Sequence, residues 1–255
     1  MFRNIYAVEN QAQLAAYQSL AERLSPAIDA YLSHLQERYE VCELPGAVVW
    51  TGKEIATSLL SNIPVPAYTN EFRIVFCPEK DVWREIYRTQ WDGGTVDNDI
   101  SSYYDRLTER NVLQILGHEL AHHSPLFADG YQAPGCGPWF EEGMVEYISR
   151  RYFLRSEEFT QEARVNRLLV ARYEAVHGRQ PLERFTEGIY QQGLDTVFYW
   201  YWRSYLAVAA LIEQAGGDEM AVFRAYQAWR EENAPEPLSA WLSRRIPNRD
   251  APPAL

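Results

Sequence analysis

Cysteine is scarce in this chain: Cys42, Cys77 and Cys136 are the whole supply in 255 residues. Three scattered thiols, an odd number, cannot form a disulfide framework and favour a reducing compartment. No Cys-x-x-Cys pair exists, which rules out a structural zinc knuckle. Long apolar runs are missing as well. The opening residues MFRNIYAVENQAQLAAYQ hold no apolar core of signal-peptide length, and no later segment approaches a membrane span, so a cytoplasmic protein with no membrane association is expected. Positive charge is in deficit, with 24 Lys and Arg against 35 Asp and Glu and a net charge of −11. A phosphate backbone or an anionic lipid surface wants a basic face, so neither nucleic acid nor membrane is an expected partner.

What is present is ordinary for a globular protein: 47% hydrophobic and 23% charged residues, in a chain long enough to bury a full core as one domain over 1–255. Residues 10–40 have helical spacing at Leu14, Tyr17, Leu20 and Leu24, with Pro26 expected to break or restart the helix. The apolar run 47–50 is a candidate buried strand, and 72–77 is the best strand in the chain, ended by Pro78. Two prolines make 61–66 irregular, and 91–96 is expected to be a turn feeding an extended stretch. From about Ser101 helix dominates. One helix spans roughly 108–123, with Val112, Ile115, Leu116 and Leu120 marking its buried face, and a loop covers 124–138. A second helix starts near Pro138, and further helices cover 157–177, 196–215 and 218–231, with Gly178 and the pair Gly216-Gly217 as stop signals. Strands first and helices after is an α+β order: an N-terminal lobe with strands (1–107), a helix pair (108–150), a helical C-terminal lobe (151–246) and a flexible tail (247–255).

The chemistry is concentrated in His118-Glu119-Leu120-Ala121-His122. Side chains at i and i+4 share a helix face, so both imidazoles can reach one metal ion, with the Glu119 carboxylate beside them to hold a water and take its proton. Such a five-residue match arises by accident in roughly one chain in a hundred of this length, so its context decides. A catalytic zinc wants a third protein ligand and one exchangeable position. The next helix offers Glu141, Glu142 and Glu146. Glu142 is the better ligand, because Glu146 lies at its i+4 position and can support a zinc-bound histidine through the far ring nitrogen. Glu141 has Val145 there instead.

These residues resemble a family. His118-Glu119-x-x-His122 followed by Trp139-x-x-Glu142-Gly143-x-x-Glu146-Tyr147 looks like the gluzincin peptidases, the clan of thermolysin and aminopeptidase N. The resemblance implies a zincin-like fold, with His118, His122 and Glu142 as zinc ligands, Glu119 as general base and Glu146 as an acid supporting the ligands. A weaker likeness runs from Tyr201 through Ser204 and Val208 to Gly216-Gly217, similar to the aminopeptidase segment whose tyrosine stabilises the oxyanion. It implies that role for Tyr201, with Tyr199 and Tyr205 as alternatives. Gly93-Gly94-Thr95-Val96-Asp97-Asn98 is the nearest match to the loop that grips a substrate amine in that branch, which implies substrate contacts at Gly94 and Asp97.

The expected function is therefore zinc-dependent hydrolysis of a peptide or protein substrate. The alternatives are a catalytically silent zinc-containing scaffold or peptide-binding protein, and a hydrolase of this fold that cuts a non-peptide bond. The bland reading of His118 and His122 is a pair of partly buried helix residues without metal. His123 is expected off the ligand face. His34 and His177 read as surface or cap residues, Cys136 as a buried or incidental thiol, and the aromatic run 198–205 as helix core. The residues do not specify cleavage mode or oligomeric state.

Overall fold

The computed structural model describes residues 2–60, 65–89, 98–127 and 135–246. Strand β1 (Arg3–Ala7) leads into helix α1 (Gln11–Tyr39), followed by β2 (Ala47–Thr51), β3 (Ala67–Thr69) and β4 (Arg73–Phe76). Helices α2 (Lys80–Thr89), α3 (Asn98–Tyr104), α4 (Glu109–Ala121), α5 (Trp139–Phe153), α6 (Ser156–His177), α7 (Leu194–Gln214), α8 (Glu219–Glu231) and α9 (Leu238–Arg245) complete the order. The architecture is α+β, with a small mixed sheet at the N-terminal end and a helical C-terminal part. Among the described residues no helix is long and apolar enough to cross a membrane. Residues 61–64 of the expected irregular stretch 61–66, the turn at 91–96 and the tail at 247–255 lie outside the described residues.

The sheet order is β1-β2-β4-β3. β1, β2 and β4 run parallel, with Val48 opposite Ile74 and Val49 opposite Val75, and β3 closes the edge antiparallel to β4. The two central strands are the two that stand out in the sequence, because a strand covered on both faces is a continuous apolar run. Val48, Val49, Trp50, Ile74, Val75 and Phe76 are all buried. The edges β1 and β3 carry no such run and take shape through their pairing.

The fold divides into two compact units. One holds the described residues up to Pro125 with Ile148–Val165, the other Leu126–Tyr147 and those from Asn166 onward. In the first, α1 buries Tyr17, Ala21, Leu24, Ile28, Tyr31, Leu35 and Tyr39 on one stripe. Pro26 does not break this helix, contrary to the sequence expectation. Pro26 and Glu22 are both exposed, so the hydrogen bond that proline deletes falls on the solvent side of the helix. Seven buried side chains, each worth about 1.5–3 kcal/mol when apolar and fully covered, outweigh a proline cost of about 3 kcal/mol. His34 departs from its expected surface role. It is half-buried among aromatic rings, 4.9 Å from Tyr152 and 5.6 Å from Tyr39 between centroids.

In the second unit α5 and α7 touch through Gly143. A Cβ there would stand 2.5 Å from the Ser204 carbonyl oxygen and 2.6 Å from Val208 Cγ2, so only glycine permits the crossing. Phe140 stacks on Tyr226 at 4.4 Å, and Tyr226 donates to the Phe127 carbonyl at 2.8 Å. The aromatic run of α7 is largely core: Phe198, Tyr199, Trp200, Trp202 and Tyr205 are buried. Gly178, Gly216 and Gly217 take positive φ at helix ends, where they were expected to stop α6 and α7. Helix α9, with Leu238, Trp241 and Leu242 buried, was not anticipated, since eight residues hold too few turns to show a period.

Candidate metal centre

Helix α4 starts where local chemistry tells it to. The Thr108 hydroxyl accepts from the Arg110 N–H at 3.3 Å, and the Asn111 side chain accepts from the Thr108 N–H at 2.8 Å. Its buried residues include Val112, Leu116 and Leu120 as expected, but Ile115 is only half-buried and Leu113, Gln114 and Gly117 are covered too. The turn that carries the motif is fixed from outside. Tyr31 of α1 donates to the Gly117 carbonyl at 3.1 Å, and a Cβ on Gly117 would meet Phe153 Cε2 at 2.5 Å and Tyr31 Cε1 at 3.0 Å. Past the last helical residue, Ser124 donates to the Tyr39 carbonyl at 2.6 Å.

His118 lies inside α4 and His122 caps its C-terminal end in helical geometry (φ −57°, ψ −22°). The i, i+4 relation therefore survives, and the two Nε2 atoms face one another at 3.2 Å. Glu119, between them in sequence, is buried. The helix end directs unsatisfied carbonyls toward this turn, which favours positive charge there. His123 points elsewhere: its Nε2 lies 2.8 Å from Thr69 Oγ1 of β3, and burial, then His122, pushes its pKa down to about 4.

Helix α5 begins after Pro138, with the Glu142 N–H bonded to the Pro138 carbonyl at 2.9 Å. Glu142 is 1% exposed and Glu146, one turn on, is also buried. Two phenols meet the same oxygen of Glu142. Tyr201 of α7 donates to Oε1 at 3.3 Å and Tyr190, in a short 3-10 turn, at 3.2 Å, while the two hydroxyls lie 3.0 Å apart. Tyr199 is engaged elsewhere, donating to Glu174 at 3.1 Å and accepting from Arg203 at 2.7 Å, and Tyr205 is fully buried. Cys136 is a buried thiol whose pKa is pushed up to about 12, by burial first and by Glu141 and Glu183 next. Gly94 and Asp97 lie outside the described residues.

One potential ligand atom from each of His118, His122 and Glu142 lies within 4.8 Å of the other two. The donor set suits zinc, since two imidazole nitrogens and one carboxylate leave a fourth position open. The distance between the two imidazoles agrees with the chemistry. Tetrahedral zinc with legs of about 2.0–2.1 Å places adjacent ligand atoms roughly 3.3 Å apart. The histidine nitrogens stand at 3.2 Å. Glu141, the neighbouring acid, is not part of the group.

Compared with protein-family models, with curated proteins and with solved structures, the chain matches none. Tyr190 is the residue that sequence reasoning missed: it stands alone in Thr186-Glu187-Gly188-Ile189-Tyr190-Gln191, with no motif around it and no helical period to set its direction.

Proposed function

We propose that this chain is a zinc-dependent peptidase of the zincin type, resembling the gluzincins, with His118, His122 and Glu142 holding the metal. The observation that carries the reading is the grouping of those three ligand atoms within 4.8 Å, on the sequence spacing that also places the buried Glu119 in the same turn. A bound zinc ion would polarise the scissile carbonyl and lower the pKa of a water toward about 7. Glu119 would serve as the general base and then the acid, moving one proton from the attacking water to the leaving amine, work typically worth about 100- to 10,000-fold in rate. Tyr201 turns its hydroxyl toward the developing oxyanion, a contribution of about 3 kcal/mol for one such donor. Glu146 supports the ligand geometry from the next turn of α5.

A peptide suits the surroundings of α4. Among the described residues β3 is the edge of the sheet and packs against α4, and its Thr69 is bonded to His123 beside the ligand turn. An edge strand presents unpaired backbone donors and acceptors that an extended peptide can meet. The test is a product map. Incubation with a mixed peptide library, read by mass spectrometry, yields new termini that disappear with a zinc chelator and return on adding zinc. Stoichiometric zinc without cleavage of any peptide supports a silent scaffold, and chelator-sensitive turnover of esters or epoxides alone supports a non-peptide hydrolase. Either outcome overturns the peptidase reading.

A further inference from the structure

Strand β1 is one edge of the sheet, and among the described residues it pairs with β2 alone. Edge strands are usually blunted by lysine, proline or a bulge. β1 has none of these: Arg3-Asn4-Ile5-Tyr6-Ala7 stays in unbroken register with Ala47–Thr51. The parallel ladder decides which backbone groups face outward. Arg3 donates its N–H to the Gly46 carbonyl at 3.0 Å, so Arg3, Ile5 and Ala7 aim their backbone groups at β2. Asn4 and Tyr6, alternating with them, aim theirs away. Side chains alternate too. Asn4 Oδ1 accepts from Trp50 Nε1 at 3.0 Å and the Tyr6 ring stacks on Trp50, which puts both on one face. Ile5 lies on the other face, 48% exposed.

We propose that β1 is a contact between two copies of this chain, paired antiparallel with Ile5 opposite Ile5 at the two-fold axis. This contact is independent of the proposed metal site, whose peptide is placed along β3 at the other end of the sheet. The strand is complementary to itself in backbone, in apolar surface and in charge. Inversion about Ile5, its middle residue, keeps all five residues paired. Asn4 then meets Tyr6 of the second copy, and Tyr6 meets Asn4. These are the outward-facing residues, so each meeting exchanges two N–H···O bonds, four in all. Ile5 falls at the non-hydrogen-bonded position between them, where Cα atoms approach to about 4.5 Å and side chains are closest. Two half-exposed isoleucines thus cover one another. Arg3 comes opposite Ala7 of the second copy, with Glu9 two residues further along, within diagonal reach of a long side chain. Arg3 and Glu9 are both exposed, and the two-fold axis makes this meeting twice.

Five residues of pairing make a small interface, so the dimer is weak, with a dissociation constant on the order of 10 μM. The measurement is sedimentation velocity on the full chain over a concentration series, in about 0.15 M salt, which screens the net charge of −11 on each copy. Wild type passes from monomer to dimer as concentration rises. Ile5→Lys removes the apolar pair and sets like charges against each other at the axis, weakening the dimer by about tenfold. Arg3→Glu weakens it by about threefold, and adding Glu9→Arg restores it. Amide exchange at Asn4 and Tyr6 of wild type slows with protein concentration, while Ile5 and Ala7, already bonded to β2, do not respond. Thermal melts establish that the variants fold, and the wild-type exchange pattern decides the matter if one does not. A chain that stays monomeric up to about ten times that dissociation constant overturns the proposal. So does a dimer that Ile5→Lys leaves intact, a charge swap that recovers nothing, or protection of the Asn4 and Tyr6 amides that ignores concentration. Zinc uptake and peptide cleavage are read separately, and their failure would leave this result standing.

Discussion

On the proposed reading, Glu119→Gln should retain zinc and lose peptide cleavage by about 100- to 10,000-fold, the range for removing a positioned general base. The amide has the shape of the carboxylate and still accepts a hydrogen bond through its carbonyl, but it cannot take a proton. Glu119 is not among the three grouped ligand residues, so metal content should not follow activity. Its burial sharpens the contrast, because little bulk water is at hand to replace it as a base. The comparison is zinc stoichiometry beside kcat/KM for the two proteins. Activity retained within about tenfold would show that another group takes the proton.

The second large effect concerns the frame rather than the chemistry. Arg150, near the C-terminal end of α5, is joined to Glu162 of α6 by an Nε to Oε1 bond of 2.8 Å, with both side chains less than a tenth exposed. Glu162→Ala takes this carboxylate from a buried guanidinium and should cost about 3–5 kcal/mol. Tyr103 and Tyr104 feel both members of the pair, yet burial holds their phenols well above the ordinary value, so they stay neutral. Replacing both partners with apolar residues of similar volume, Arg150→Met with Glu162→Leu, should recover most of the loss. Denaturant titrations of the single and double variants measure this. A single variant within about 1 kcal/mol of wild type would mean that water reaches the pair.

The parts of the fold that were legible in the sequence share one property: each element's own residues decide it. The strands β2 and β4 are unbroken apolar runs, α4 carries its own cap at Thr108, and α6 and α7 end at glycines that take positive φ. What was not legible depends on partners. β1 and β3 exist by pairing with β2 and β4, and Pro26 is tolerated because its missing bond faces solvent while the opposite stripe packs. The site divides in the same way. His118, Glu119 and His122 are fixed by helical spacing within five residues. Tyr190 reaches Glu142 from 48 residues away, through a turn with no period. Thr69 meets His123 only because β3 packs against α4.

On the proposed reading one divalent ion is shared by the rings of His118 and His122 and the acid of Glu142. Elemental analysis of protein purified without chelators, for wild type beside His118→Ala, His122→Ala and Glu142→Ala, addresses it directly. The account predicts one zinc per chain in wild type and a large loss in each variant, all of them folded. A folded wild type without stoichiometric metal, or zinc that stays when any of the three is replaced, would contradict it.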